Sequence, residues 1–519
     1  MASTFFGLTI AYSGLQAANT SLTITGHNVS NINTKGYTKQ QAGTQAADAL
    51  RTHTTYGAIG SGVVVTEISQ IRDSYYDVKY RNNMANYGQY SVKESYMGQI
   101  EDYLDEFTLN GYSQEYKNFF SAVNQLTITP GDTSAKNQLI NNAKSLADYF
   151  NTLTTNLRNV QADANNEIKD AVQQINSYAK NIAALNRQIN QIEANYGNAN
   201  DLRDKRNAMI DELSEIVNLE TSEEDMGNNV SNFSVRINGQ TLVSSYSYNT
   251  LETVARTDKK NYSDAEGLYD VQWNSGQKFD MYSTSLSGHL KGLIDIRDGN
   301  NGEHENIETD DDGNNVTDSD GNLVLTTAPA ADKTVSYKGV PYYQAQLNEF
   351  AKIFSDAVNK IMKSGYTSDG SSKGISLFVT QPNTTVMSAG NITVNPELLK
   401  NADLLAIKKE QNDGESDAKI MEELNKLQSE KIFAGGTGSY FLESIVSDMS
   451  IDSQKAVNLY KNYTDLKTSI HNQRLSIMGV DTDEEAMDLM KFQQAYNLNS
   501  KMMSVMNQIY DKLINQTGI

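Results

Sequence analysis

Between Asp132 and Tyr196 the chain runs for 65 residues without a glycine or a proline, and no other feature restricts its fold as much. A stretch free of helix breakers folds as one helix when its apolar residues keep helical spacing. Leu139, Ala143, Leu146, Phe150, Leu153, Leu157, Val160 and Ala164 recur in steps of four and three. Ile168, Val172, Ile175, Ala179 and Ile182 resume the rhythm after one extra step of four, a stutter that locally unwinds a coiled coil. One helix of about 95 Å is predicted, at about 1.5 Å per residue. After the break at Gly197, Asp201 to Val217 reads as an antiparallel return with Leu202, Met209, Leu213 and Ile216 on one side.

The two ends repeat this design with few charges. Phe5, Leu8, Tyr12, Leu15, Asn19, Leu22, Gly26 and Val29 form one heptad seam, and Leu489, Phe492, Tyr496, Asn499, Met503, Met506, Tyr510 and Leu513 form its C-terminal counterpart. These residues, Gly26 excepted, are the expected assembly interface. Phe6, Ile10, Ala17 and Ile24 make a second, narrower stripe on the N-terminal helix. One stripe can be covered by the chain's own C-terminal helix and the other by a neighbouring subunit; burial of both within one domain is the plainer alternative. Asn19 and Asn499 are candidate register markers, or they face water. Met487, Met490, Met502, Met503 and Met506 give the last helix an adaptable surface, although such stripes are most often core. Thr482 and Glu485 have capping-box spacing for that helix. Before it, Leu442, Val446, Met449, Ala456, Tyr460, Tyr463 and Ile470 trace another helix up to Gly479.

From 221 to 435 the pattern changes to short alternating strands. Phe233, Val235 and Ile237 run into Asn238-Gly239, a two-residue hairpin signal, and Val271 and Trp273 precede Asn274-Ser275-Gly276. Tyr343 to Met362 is a helix on Leu347, Phe350, Phe354, Val358 and Ile361. The fold expected is α+β and multidomain: a long coiled-coil rod from the N- and C-terminal segments, with mainly β outer domains inserted in the middle. Residues 1–45 and 481–519 supply the two halves of a terminal-helix domain, 46–220 and 436–480 those of the rod, and 221–435 the outer part.

Charge and composition remove several functions. A net charge of -21 argues against nucleic acid or an anionic membrane as partner. Cysteine is absent, so no thiolate metal site or cysteine nucleophile exists. His27, His53, His289, His304 and His471 lack metal-ligand spacing, and the glycine clusters at 57–62 and 435–438 lack the lysine of a phosphate loop. Neither a catalytic role nor a cofactor is expected. The acidic stretch 297–322 sets Glu308, Asp310, Asp312 and Gly313 at calcium-loop positions. Ser319 occupies the place of the bidentate glutamate, so a solvated turn is the better reading. No apolar run is long enough to span a membrane, and the N-terminus has no charge before Lys35, unlike a cleaved secretory signal.

Asn28-Val29-Ser30-Asn31-Ile32-Asn33-Thr34-Lys35-Gly36-Tyr37 resembles the N-terminal signature of the bacterial flagellar axial proteins, the rod, hook and hook-associated subunits. Gly479-Val480-Asp481, Asp483-Glu484-Glu485-Ala486 and Leu489 to Tyr496 are similar to the closing segment of the branch at the hook–filament junction. Ile59 to Val63, Asp201 to Asn207, Asp211 to Ser214 and Gly288 to Asp298 also look like patterns of that branch. The resemblance implies a structural subunit that forms a ring with copies of itself. Its implied neighbours are hook protein and the next hook-associated protein on the filament side. It implies export without a cleaved signal, a chaperone on the C-terminal helix, and residence outside the cell in the flagellum. Another axial subunit, hook protein or flagellin, and a secreted coiled-coil adhesin are the alternatives. The small terminal helices are also expected to order only on assembly.

Overall fold

A computed structural model describes residues 6–51, 58–106, 112–303, 305–307, 316–317, 324–327, 335–382, 384–414, 416–433 and 436–516. Its helices are α1 (Phe6–Ser30), α2 (Ser74–Glu106), α3 (Tyr112–Ile128), α4 (Thr133–Glu193), α5 (Asn200–Ile216), α6 (His289–Asp298), α7 (Val340–Ser364), α8 (Pro396–Lys400), α9 (Lys419–Leu427), α10 (Gly438–Met478) and α11 (Thr482–Asn515). Helix α4 is one uninterrupted element of 61 residues. All thirteen seam residues from Leu139 to Ile182 are at most 3% exposed, on both sides of the stutter. The chain forms two compact units, one from Met1–Asn86, Gln174–Thr250 and Tyr463–Ile519, the other from Tyr87–Gln173 and Leu251–Asn462.

In the first unit a strand Gln40–Ala46 pairs antiparallel with Val63–Gln70, and both strands pack against α1. A four-stranded sheet follows α5, with Glu220–Asp225, Ser231–Ile237, Gln240–Ser244 and Ser247–Tyr248 in sequential antiparallel order. Asn238 at φ 49° and Gly239 at φ 76° make the tight turn that the Asn-Gly pair predicts, and Phe233, Val235 and Ile237 are buried as the alternation requires. Arg206 of α5 is 2% exposed and lies 3.8 Å from the Phe233 ring centroid. Burial pushes its guanidinium down to about 10, against the pull of Glu223. The predicted side of α5 is realised at Leu213 and Ile216, whereas Leu202 and Met209 are only half-buried and Ile210 takes the central place.

The second unit is centred on aromatic rings. Phe350 of α7 stacks on Phe433 at 4.9 Å between centroids and on Phe354 at 5.6 Å, and Phe150 of α4 meets Phe350 at 5.4 Å. Phe119 and Tyr116 of α3 close the cluster against Phe354. Aromatic pairs at these separations contribute about 0.5–1.5 kcal/mol each beyond area burial. The zone 221–435 is not mainly β. Helices α6 to α9 share it with the four-stranded sheet and several two-stranded sheets. Alternation over three to seven residues marks strands well, but Gly288 to Asp298 carries no clear period in the sequence. It folds as α6, with every residue from Leu290 to Asp298 buried. The calcium-loop positions Glu308, Asp310, Asp312, Gly313 and Ser319 lie outside the described residues, as does His304.

Candidate functional site: the terminal helix pair and its polar clasp

Helices α1 and α11 pack against each other within the first unit. A Cβ placed on Gly7 would come within 2.7 Å of Met506 Cε, and one on Gly14 within 2.7 Å of Asn499 Oδ1. Asn28 meets Glu485 through its amide. These three pairs fall in a single antiparallel register, separated by seven and then fourteen residues on α1 and by the same intervals on α11. The same register sets Ser21 opposite Phe492. Between these positions lie Ala11, Ala18 and Thr25, all buried. The pairing face of α1 is therefore a heptad of small residues, which lets the bulky side chains of α11 approach the α1 backbone. Phe492, Tyr496, Asn499, Met503, Met506 and Tyr510 occupy half-buried positions on α11, as their spacing predicts. Leu489 and Leu513 depart from the pattern at 40% and 49% exposure.

The apolar seam of α1 is placed differently. Tyr12 is 50% and Val29 42% exposed, Asn19 is exposed, and Leu8, Leu15 and Leu22 are half-buried. A Cβ on Gly26 would meet nothing within 4 Å. This seam lies beside the small-residue face rather than on it, with Leu15 bordering a cavity lined by Ser500, Met503 and Asn507 of α11. Phe5 lies outside the described residues. The second stripe is buried on the hairpin side, where Ala17 and Ile24 are covered and Ser13 Oγ accepts from Val63 N at 3.2 Å. Asn499 therefore pairs with Gly14 rather than with Asn19, and its Nδ2 donates to Ala495 O at 2.9 Å. On α11 a further apolar stripe, Met487, Leu498, Met502, Val505 and Ile509, is between 44% and 69% exposed.

The base of the pair is closed by polar groups. Asn28, 1% exposed, accepts from Gln40 N at 3.0 Å and Tyr37 Oη at 2.8 Å through Oδ1. Its Nδ2 donates to Gln40 O at 3.0 Å and to both Glu485 oxygens at 3.2 Å. Lys39 Nζ lies 2.8 Å from Glu484 and 3.0 Å from Glu485. Lys39 N donates to Met478 O at 2.9 Å, which ties the signature segment to the α10–α11 joint. The predicted capping box is displaced by one residue. Asp481 is the N-cap, accepting from Asp483 N at 2.9 Å and Glu484 N at 3.1 Å, and this frees Glu485 for Asn28 and Lys39.

Beside this clasp runs a chain of alternating charges that sequence reading missed. Asp204 pairs with Arg72 at 3.3 Å, Arg72 with Asp77 at 2.7 Å, Asp77 with Arg474 at 2.7 Å, Arg474 with Asp211 at 2.6 Å, and Asp211 with Arg81 at 2.8 Å. None of the six side chains is more than 15% exposed. Thr38 N and Oγ1 donate to Asp204 at 2.9 and 2.7 Å. Burial raises the Asp204 carboxyl, and the Thr38 hydrogen bonds and Arg72 oppose that rise. Burial alone would lower Arg474, but Asp211 and Asp77 hold it above its ordinary value. The run from Asp201 to Asn207 was visible as a pattern. Its structural use, anchoring Thr38 and Arg72, has no signal in spacing.

Residues 97–378 match the family described as flagellar hook-associated protein FlgK helical domain, and residues 471–516 match flagellar basal body rod FlgEFG protein C-terminal. The chain belongs to the flagellar hook-associated protein family, whose members are structural proteins of the bacterial flagellum. It is 27% identical over 543 residues to flagellar hook-associated protein 1 of Bacillus subtilis, with 100% of this chain and 99% of the relative covered. To the protein of the same name from Salmonella typhimurium it is 28% identical over 554 residues, covering 97% and 98%. The solved structure of the flagellar hook junction protein FlgK from Burkholderia pseudomallei superposes with a TM-score of 0.60 at 14% identity. It covers 77% of this chain and 100% of that one, a likeness of fold. Among the described residues no helix is long and apolar enough to cross a membrane.

Proposed function

We propose that the chain forms a ring of identical subunits between the hook and the filament, joined through the open apolar seam of α1 and the exposed stripe of α11. One observation carries this reading. Helix α1 is covered by its own chain on two sides, by α11 and by the hairpin, while Tyr12 and Val29 are exposed and Leu8, Leu15 and Leu22 are only half-buried. A row of apolar residues left partly uncovered by the chain itself is suited to an interaction site. Phe5, Asn19, Leu489 and Leu513 belong to the same interface, with the inward residues of α11 supporting it. Residues 1–45 and 481–519 then act as the tube core, 46–220 and 436–480 as a coiled-coil rod, and 221–435 as the outer part. Hook protein and the next hook-associated protein cover the two sides of the ring. Before assembly a chaperone holds α11, export proceeds without a cleaved signal, and the terminal helices complete their ordering in the ring. The role is structural and not catalytic.

The test is deletion of the gene followed by electron microscopy of the cell surface. Bare hooks with filament protein shed into the medium are expected, and intact filaments would refute the proposal. Complementation with Tyr12→Asp and Leu22→Asp together is expected to give a secreted, folded subunit that fails to join filaments. Normal joining by that variant would remove the α1 seam from the interface.

A further inference from the structure

In the second unit a lysine stands among arginines without an acid of its own. Lys260 is half-buried; its Nζ donates to the Tyr282 phenol oxygen and lies 3.8 Å from that ring's centroid. The same oxygen accepts from Arg256 at 3.2 Å and donates to Asp298 at 3.0 Å. Both Asp298 oxygens are held by Arg256, at 2.9 and 2.7 Å, and by Arg297, at 3.1 and 2.6 Å. Asp270 is engaged by Arg256 Nε at 2.7 Å. The guanidiniums have thus taken the nearby carboxylates, and among the described residues no acid lies within ion-pair distance of Lys260.

We propose that Lys260 is a covalent modification site, an amine that takes the acyl group of an activated donor such as an acyl phosphate. Neighbouring lysines lack one or other requirement. Lys93 is 5% exposed and paired with Asp295 at 2.7 Å, and Lys259 is more open but paired with Glu266 at 2.7 Å. Burial pushes the Lys260 amine down to about 8, with Arg256 and Arg297 reinforcing the fall against Asp298 and Asp270. At pH 7 about one Lys260 in ten is then the free amine, against about one in three thousand for an ordinary lysine. In the reaction the nitrogen lone pair attacks the carbonyl carbon and forms the C–N bond. The C–O bond to phosphorus breaks, inorganic phosphate leaves with its electron pair, and the nitrogen loses a proton to water. The products are an amide and phosphate, with no oxidant or reductant required.

The full-length protein is exposed to limiting acetyl phosphate between pH 6 and pH 10, and acetylation of each lysine peptide is followed by mass spectrometry. Lys260 is expected to react about tenfold faster than Lys259 at pH 7, the gain in free amine being partly offset by lower basicity. Its rate levels off above pH 8, and Lys260→Arg removes the fast site alone. A Lys260 rate equal to that of Lys259 at pH 7, or one still rising at pH 10, overturns the proposal.

Discussion

Asn28→Asp tests the clasp directly, because it keeps the size of the side chain and exchanges a donor for an acceptor. In the native arrangement Asn28 Nδ2 donates to Glu485 at 3.2 Å. In the variant two carboxylates face each other there, a repulsion of about 5 kcal/mol at an effective dielectric constant near 20. Lys39, paired with Glu484 and Glu485, offsets part of this, while the lost hydrogen bond to Gln40 O adds about 1 kcal/mol. The net cost is about 3–5 kcal/mol of local stability, or an increase in opening of about 10²–10⁴-fold. Hydrogen exchange of the Gln40 amide, which donates to Asn28 Oδ1, reads this opening. The pH dependence has a definite sign. Mutual repulsion raises the folded-state pKa of the carboxylate pair above its unfolded value, so the penalty is full at neutral pH and shrinks as pH falls. Asn28→Asp combined with Glu485→Gln restores a donor facing an acceptor and should recover at least half of the loss. An Asn28→Asp variant whose Gln40 amide exchanges within twofold of the native rate would refute the reasoning, and so would a double variant no better than the single one.

Asp298→Asn should destabilise the second unit by about 3–5 kcal/mol, since it leaves Arg256 and Arg297 buried without their counter-ion. Urea unfolding followed by Trp273, the chain's single tryptophan and 3% exposed, measures it. Burial alone would raise the Asp298 carboxyl, yet the two guanidiniums hold it well below the usual range. Its contribution is therefore complete above the unfolded value near pH 4 and lost as pH falls below it, so the acid dependence seen in the native chain should flatten in the variant. Gly14→Leu should part α1 from α11 at a cost of about 1–3 kcal/mol, accelerating hydrogen exchange around Asn499. Gly26→Ala, where a Cβ meets nothing, should leave that exchange unchanged or slow it. Gly239→Val forces a β-branched residue to φ 76° and should lower the urea midpoint of the first unit by about 1–2 kcal/mol in free-energy terms, measured by circular dichroism.

What could be read from the sequence follows from what periodicity can encode. The seam of α4 was legible to the residue because Leu, Ile, Val and Phe recur there against a polar background. The inward face of α11 was legible for the same reason. The pairing face of α1 was not, although its spacing is equally regular, because Gly7, Ala11, Gly14, Ala18, Ser21, Thr25 and Asn28 carry little apolar signal. Their contribution lies in the volume they leave for Phe492, Asn499 and Met506. Glu485 shows the limit of a local motif: the Thr482–Glu485 spacing suggests a capping box, but Asp481 is the N-cap, and Glu485 is held by two partners from distant sequence, Asn28 and Lys39. Arg72, Arg81 and Arg474 gave no signal, since a buried charge is recognisable only beside its counter-charge.

The two kinds of contact at the terminal pair serve different needs. Apolar burial is non-directional, so a large apolar seam between α1 and α11 would tolerate slippage by a heptad, the repeat being the same at each step. A small-residue seam contributes less burial and would slip more easily still if it acted alone. Asn28 removes that freedom, because Gln40 and Tyr37 of its own segment fix its amide in place and Glu485 meets that amide in only one register. Displacement by one heptad would leave Glu485 beside Ser21 and carry both Glu484 and Glu485 away from Lys39. A buried carboxylate stranded in this way costs more than the seam gains, about 3–5 kcal/mol for one broken buried pair. The polar clasp therefore fixes the register that the small-residue seam leaves free, so large apolar side chains are not needed to align the pair within one chain. On that argument Leu8, Tyr12, Leu15 and Leu22 remain available for contacts between chains.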